Sequence, residues 1–191
     1  MDNFFEPPLI GACIFGQSGG PTAVINASAY GVIRTALDSD VITNVYGAAY
    51  GIKGVLNDEL YDMAEEEDYE LKLLLNTPSS ELGSCRYKIA DPEVDDTDYI
   101  RILEIFKKYD VRYFFYNGGN DSMDTCNKID IWRRSAMSAG SWVFPKQLTM
   151  ICLEPIIAPV MAEQQSLSQH HAWKSARIPT FIIRIWSLSL K

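Results

Sequence analysis

Residues 16–26 read Gly16-Gln17-Ser18-Gly19-Gly20-Pro21-Thr22-Ala23-Val24-Ile25-Asn26, directly after the apolar run Leu9–Phe15. That succession constrains the chain more than any other stretch. It specifies a buried strand, a glycine-rich turn and the start of a helix. Such a turn points free backbone N–H groups and the positive end of a helix dipole at one spot, which suits a phosphate. The pair Gly19-Gly20 lets the backbone approach an anion with no Cβ in the way. The spacing is neither the dinucleotide fingerprint nor the Walker A pattern, which needs Gly-Lys-Ser/Thr. Spacing alone therefore leaves open both a phosphate site and an ordinary strand-to-helix turn.

Further along, Val24–Leu37 carries apolar residues near helical spacing, with Thr22 as a candidate cap. Val41–Tyr50 is β-branched and aromatic and reads as a strand. Asp68–Leu75 reads as a short helix, preceded by acidic residues that suit a helix start. A second helix opens at Asp95 and runs to about Lys108, with Ile100, Leu103 and Lys107 on its period. Asp110–Tyr116 is a buried strand that ends at Gly118-Gly119. Alternating strands and helices imply an α/β fold, a parallel sheet with helices on both faces. Ligands of such sheets bind beyond the carboxyl ends of the strands, where both glycine loops lie.

Composition narrows the class. With 191 residues, 47% of them hydrophobic, the chain can bury one real core. A net charge of −8 argues against a nucleic-acid partner held by bulk electrostatics. Cys13, Cys85, Cys126 and Cys152 show neither metal-ligand nor disulfide spacing, so a reducing cytoplasm is expected. Met1-Asp2-Asn3 lacks the basic start of a signal peptide. The apolar stretches 150–162 and 178–190 are too short and too interrupted to span a membrane.

The string at residues 16–26 resembles the first loop of the phosphofructokinase family, most closely its pyrophosphate-dependent branch. Three later segments resemble that family in the same order. Residues 45–56 look like its second strand and turn. Leu82-Gly83-Ser84-Cys85-Arg86-Tyr87-Lys88 looks like its phosphate-binding arginine loop. Tyr116-Asn117-Gly118-Gly119-Asn120-Asp121-Ser122-Met123 looks like its second glycine loop. The resemblance covers residues 9–129. It implies the N-terminal half of a phosphofructokinase-like domain and a homo-oligomer in the family. The implied reaction moves a phosphoryl group from pyrophosphate to fructose 6-phosphate, with Mg²⁺ as cofactor. ATP is the alternative donor. A phosphate-binding fragment or module without catalysis is the alternative of another class.

The resemblance also assigns residues. Gly19, Gly20 and Arg86 become phosphate contacts, and a guanidinium can hold two phosphate oxygens at once. Without the resemblance, Arg86 reads as a solvated surface arginine. Asn120 stands where the family commonly has an Asp serving Mg²⁺, and an amide is a weaker ligand for a hard cation. Asp121 stands where ATP users carry Gly and pyrophosphate users carry Asp, so it favours pyrophosphate. Asp121 also reads as a helix N-cap. Ser122 and Thr125 read equally as caps or phosphate contacts, and Met123 and Cys126 as packing residues.

The chain changes character near residue 130. Residues 1–129 carry a net charge of −12 and residues 130–191 a net of +4, and the second part holds all four tryptophans and both histidines. A second small domain would account for this. The family order suggests another cause. After the second glycine loop the family reaches a loop reading roughly Val-Pro-Lys-Thr-Ile-Asp-Asn-Asp-Leu, which carries the catalytic base. Encoded as GTT CCC AAA ACA ATT GAC AAT GAT CTG and read one base late, that loop becomes Phe-Pro-Lys-Gln-Leu-Thr-Met-Ile-Cys, the sequence of residues 144–152. Leu153–Met161 and Ile131–Arg134 decode in the same shifted frame. Residues 1–129 are therefore expected to form the phosphofructokinase-like segment. Residues 130–191 are expected to be an out-of-frame tail rather than a domain, truncating the chain before its base loop. Neither Lys146 nor His170-His171 receives a role on this reading.

Overall fold

The computed structural model describes residues 9–20, 22, 24–138 and 149–153. In chain order the elements are β1 (Gly11–Gln17), α1 (Ile25–Leu37), β2 (Ile42–Ala48), α2 (Ile52–Asn57) and β3 (Leu60–Asp62). Then come α3 (Asp68–Leu73), α4 (Thr97–Lys108), β4 (Val111–Asn117), α5 (Asn120–Ser138) and β5 (Thr149–Leu153). One sheet takes the order β3-β2-β1-β4-β5. The β1–β2, β1–β4 and β4–β5 pairs are parallel.

The expected sheet with helices on both faces is present, and the strand period of two shows how it is built. From β1, Ala12 and Ile14 enter a core with Ile52 and Val55 of α2, Ile102 and Phe106 of α4, and Ile129 of α5. Their neighbours Cys13 and Phe15 point the other way, into a core with Ala29, Val32 and Ile33 of α1 and Leu71 of α3. β4 splits likewise, Phe114 and Tyr116 against Tyr113 and Phe115. Every residue of β1 is buried, as the unbroken apolar run implies.

Several expectations need correction. β3 pairs antiparallel with β2, so the sheet is mixed rather than purely parallel. Its three residues are half exposed and carry no apolar run, and a reversal after α2 brings them in. That reversal places Asp58 at φ 65, pairs its carboxylate with Lys108, and donates Glu59 N–H to the Gly54 carbonyl at 2.8 Å. Thr22 does not cap α1. The cap position is Val24, without a side-chain bond, and Thr22 Oγ1 is buried with no partner. α4 begins at Thr97, whose N–H and hydroxyl both donate to Asp95 Oδ1, at 3.0 and 2.6 Å. Its buried stripe is Tyr99, Ile102, Leu103 and Phe106, with Ile105 beside it, while Lys107 faces water. The buried face is therefore rotated from the one that Ile100, Leu103 and Lys107 would define.

The described fold continues past residue 129. α5 runs unbroken to Ser138, with Ile129 fully buried. The Trp132 ring lies 5.5 Å from that of Tyr99. β5 lies beside β4, Tyr113 opposite Thr149 and Asn117 opposite Leu153. Lys146, His170-His171 and the shifted-frame reading of residues 154–161 lie outside the described residues.

Burial pushes the Cys13 thiol up from 9.0 to about 12, and burial first of all pushes the Tyr116 phenol up from 10.0 to about 12. In the unfolded chain these groups lose their protons near their ordinary values, while the folded chain keeps them. Their contribution to stability is complete below pH 9 and is lost as pH rises towards 12. The urea midpoint should therefore fall steadily above pH 9, and Cys13→Ala should flatten the first part of that fall. A midpoint constant to pH 11 would contradict this.

Candidate functional site

The two glycine loops start at the same level, because β1 and β4 are in register with Gln17 opposite Asn117. Ser18 N–H donates to the Asn117 carbonyl at 2.7 Å and closes the gap between the strand ends. Gly19 then turns with φ +83, a conformation that suits a residue without Cβ. A Cβ built on Gly19 would lie 3.5 Å from the Gly119 nitrogen, so the loops abut. On Gly118 it would fall 2.1 Å from Ser122 Oγ and 3.0 Å from the Ser18 carbonyl, which only glycine avoids. On Gly20 or Gly119 it would meet nothing within 4 Å, so these two line open space.

Among the described residues, the N–H groups of Gly19, Gly20 and Gly119 donate to no protein acceptor. α5 begins at Asn120 and adds the positive end of its dipole. Free donors and a helix start facing open space at the carboxyl end of a parallel pair suit an oxyanion ligand.

A third segment joins the loops. Ser84 Oγ donates to the Gly19 carbonyl at 2.6 Å, and Arg86 follows two residues later, exposed and outside every ion pair among the described residues. The structure thus brings together Gly19, Gly20 and the segment that carries Arg86. Asn120 and Asp121 are exposed in the first turn of α5. The cap position is taken by Gly119, whose carbonyl accepts from Ser122 N at 3.0 Å and Met123 N at 3.2 Å, so Asp121 is not the N-cap. Ser122 is buried under Gly118, 2% exposed. Thr125 donates its hydroxyl to the Asp121 carbonyl at 2.9 Å, committing it to the helix backbone. Cys126 is buried in the core as expected, whereas Met123 is exposed.

No group of three or more His, Cys, Asp or Glu gathers among the described residues. The donors at the head of α5 are one carboxylate and one amide. That set fits a magnesium ion carried mainly by phosphate oxygens, not an all-protein cage.

Other site residues carried no sequence signal of chemistry. Gln17, Asn26 and Asn117 are fully buried polar side chains at the root of the loops. Asn117 Nδ2 donates to the Ile25 carbonyl at 3.3 Å and ties β4 to the start of α1. The Tyr116 hydroxyl accepts from Ile52 N–H at 3.3 Å and fixes the β2–α2 turn beside them. A polar residue inside an apolar stretch, as at Asn26 between Ile25 and Ala27, is the available clue.

Much of the chain is similar to known proteins. A family profile described as Phosphofructokinase matches residues 12–155. The pyrophosphate–fructose 6-phosphate 1-phosphotransferase of Halomonas elongata is 50% identical over 116 residues, covering 60% of this chain and 28% of that protein. Its counterpart from Methylococcus capsulatus is 48% identical over the same length and coverage. A crystal structure of a pyrophosphate-dependent phosphofructokinase from Nitrosospira multiformis superposes with a TM-score of 0.61 at 44% identity. It covers 65% of this chain and 30% of that one. The chain thus spans little more than a quarter of the length of the curated relatives it matches.

The glycines give a paired test. Gly118→Ala should cost about 1–3 kcal/mol, because Ser122 and the Ser18 carbonyl have to give way. Gly20→Ala should change stability by less than about 0.5 kcal/mol. Chemical denaturation of both variants measures this, and equal costs would refute the placement of the loops.

Proposed function

The chain belongs to the phosphofructokinase family, and from that premise we propose that its glycine crevice binds pyrophosphate, the phosphoryl donor to fructose 6-phosphate in a glycolytic phosphotransferase. The carrying observation is the convergence of the two glycine loops and the Ser84–Arg86 segment at one end of the β1–β4 pair. In the reaction, the sugar 1-hydroxyl attacks one phosphorus, the bridging P–O bond breaks, inorganic phosphate leaves, and the hydroxyl proton passes to a base. Such transfer rests on positioning and charge neutralisation more than on covalent help from the protein.

The chain's own residues supply the donor half. The N–H groups of Gly19, Gly20 and Gly119 face the non-reacting oxygens, and Arg86 holds two of them in parallel charge-assisted bonds. Ser122 supports Gly118 from below. Asp121 fills space on the donor's far side that a nucleoside would need, which favours pyrophosphate over ATP. A carboxylate beside so highly charged an anion is repulsive unless a divalent cation lies between them. Mg²⁺ held by pyrophosphate oxygens, Asp121 and Asn120 would neutralise that charge when bound.

The acceptor half is absent from this reading. Residues 144–152 offer no carboxylate where the family carries its base. We therefore propose that residues 130–191 are the product of a one-base shift near codons 128–131, and that the chain binds pyrophosphate without turning it over. A cytoplasmic location belongs to the same proposal. A second reading, an intact phosphate-binding module, draws on the pairing of β5 with β4 and on the family profile reaching residue 155. Sequencing the gene across codons 126–135 in independent reads separates the two. A clean open frame favours the module.

By calorimetry with Mg²⁺ present, the chain should bind pyrophosphate, and Arg86→Ala should weaken binding at least about tenfold, given that bonds to charged groups contribute ~1.5–3 kcal/mol. Fructose 1,6-bisphosphate formation should be undetectable. Turnover that Arg86→Ala abolishes would refute the inactive reading. Restoring one base near codon 130 should yield an enzyme that prefers pyrophosphate, and Asp121→Gly in that enzyme should admit ATP. A restored enzyme using ATP alone would overturn the donor assignment.

A further inference from the structure

We infer that Gln17 and Asn26 are positioning residues: a buried amide pair, out of reach of any ligand, that clamps the arginine-bearing segment onto the phosphate loop. This deepens the pyrophosphate reading and rests on it.

The segment from Thr77 to Ala90 contains neither helix nor strand, yet it carries Ser84 and Arg86. Its backbone groups need partners other than a ladder. Several are supplied by two side chains that are 0% exposed. Gln17 Oε1 accepts from Leu82 N–H at 3.1 Å and from Ser80 Oγ at 2.8 Å. Asn26 Oδ1 accepts from Glu81 N–H at 3.0 Å, and Asn26 Nδ2 donates to the Thr77 carbonyl at 3.0 Å. The two amides are joined to each other, Gln17 Nε2 donating to Asn26 Oδ1 at 3.0 Å. Gln17 Nε2 also lies 3.4 Å from the Ile25 carbonyl. Every oxygen accepts and both nitrogens donate, so neither amide can flip without stranding a buried group.

The pair sits where it can govern the site. Gln17 ends β1 and is followed by Ser18-Gly19-Gly20, and Asn26 lies in the first turn of α1. Ser80 extends the clamp, because its hydroxyl shares one proton between Gln17 Oε1 and the Gly83 carbonyl, each at 2.8 Å. That fixes Gly83, at φ +75, and with it the direction in which Ser84 and Arg86 leave. Gly19 is held from the other side by Ser84 Oγ. Arg86 thus has its position relative to the free glycine N–H groups set by an amide pair that touches neither.

The test is a double-mutant cycle on the full chain, read by calorimetry with pyrophosphate and Mg²⁺. Ser80→Ala removes one donor at the edge of the clamp. It should weaken pyrophosphate binding about three- to tenfold, the range for one neutral hydrogen bond. In an Arg86→Ala background the same change should cost less than about twofold, because a residue acting through Arg86 has nothing left to position. A general loss of stability would lower affinity equally in both backgrounds. Asn26→Ala, which removes the partners of the Glu81 N–H and the Thr77 carbonyl without burying a charge, should repeat the pattern.

Equal costs in the two backgrounds, or no cost at all, would overturn the proposal. If the unaltered chain binds no pyrophosphate, the phosphate reading fails. The clamp is then judged by amide exchange. Ser80→Ala should speed exchange at residues 81–86 about tenfold while α4 is unchanged. Equal exchange in both proteins would overturn it.

Discussion

Everything at the crevice depends on the parallel pairing of β1 with β4. Both strands are buried along nearly their whole length, so only a central position in a sheet covered on both faces satisfies them. The register that places Gln17 opposite Asn117 brings two chain reversals, a hundred residues apart, to one level. A slip of one residue would carry Phe114 and Tyr116 to the wrong core and take Gly118 away from the Ser18 carbonyl. Core packing therefore sets the geometry of the site. The aromatic contact of Phe114 with Phe106 of α4, at 5.4 Å, holds β4 from the α4 side.

The site works against the charge of the chain that carries it. With a net charge of −8, the long-range field repels anions. On the proposed reading, recognition comes from short-range, directional groups: free backbone N–H groups, a helix start, and the one arginine outside the ion pairs among the described residues. The other arginines among the described residues are engaged. Arg34 bridges α1 to α3 through Asp68 at 2.6 Å, and Arg112 pairs with Asp110 at 2.6 Å. Such exposed pairs contribute little stability. On the proposed reading that contrast serves binding: Arg86 stays outside the ion pairs, while Ser84, two residues before it, tethers the segment to Gly19.

The parts legible from the sequence are those where one signal dominates. Leu9–Phe15 and Asp110–Tyr116 each run apolar into a glycine pair, and both became central strands with open turns. β3 and α2 were not legible, because three half-exposed residues and one short turn of helix have no period to detect. α4 was legible as a helix but not in its phase. The clamp lay deeper still. Gln17 and Asn26 look like surface residues by type, and the segment they hold shows no pattern, since side chains take the place of a backbone ladder there. A buried polar group is informative only once its burial is known.

β5 illustrates what a sheet reads and what it does not. A strand joins a parallel neighbour through backbone N–H and C=O groups, which every residue but proline offers alike. Thr-Met-Ile-Cys-Leu has the β-branched and apolar character that suits an edge, whatever frame produced it. Pairing with β4 is therefore compatible with either origin of residues 149–153. Catalysis is far less permissive. A base has to be a titratable side chain within hydrogen-bond reach of one hydroxyl; residues 144–152 hold only Lys146 and Cys152 of that kind, and no carboxylate. The fold can absorb an altered strand at the edge of its sheet, whereas the chemistry at the carboxyl end of that sheet cannot. On the proposed reading, the donor half rests on backbone geometry that the sheet preserves, and the acceptor half depends on the reading frame of a few codons.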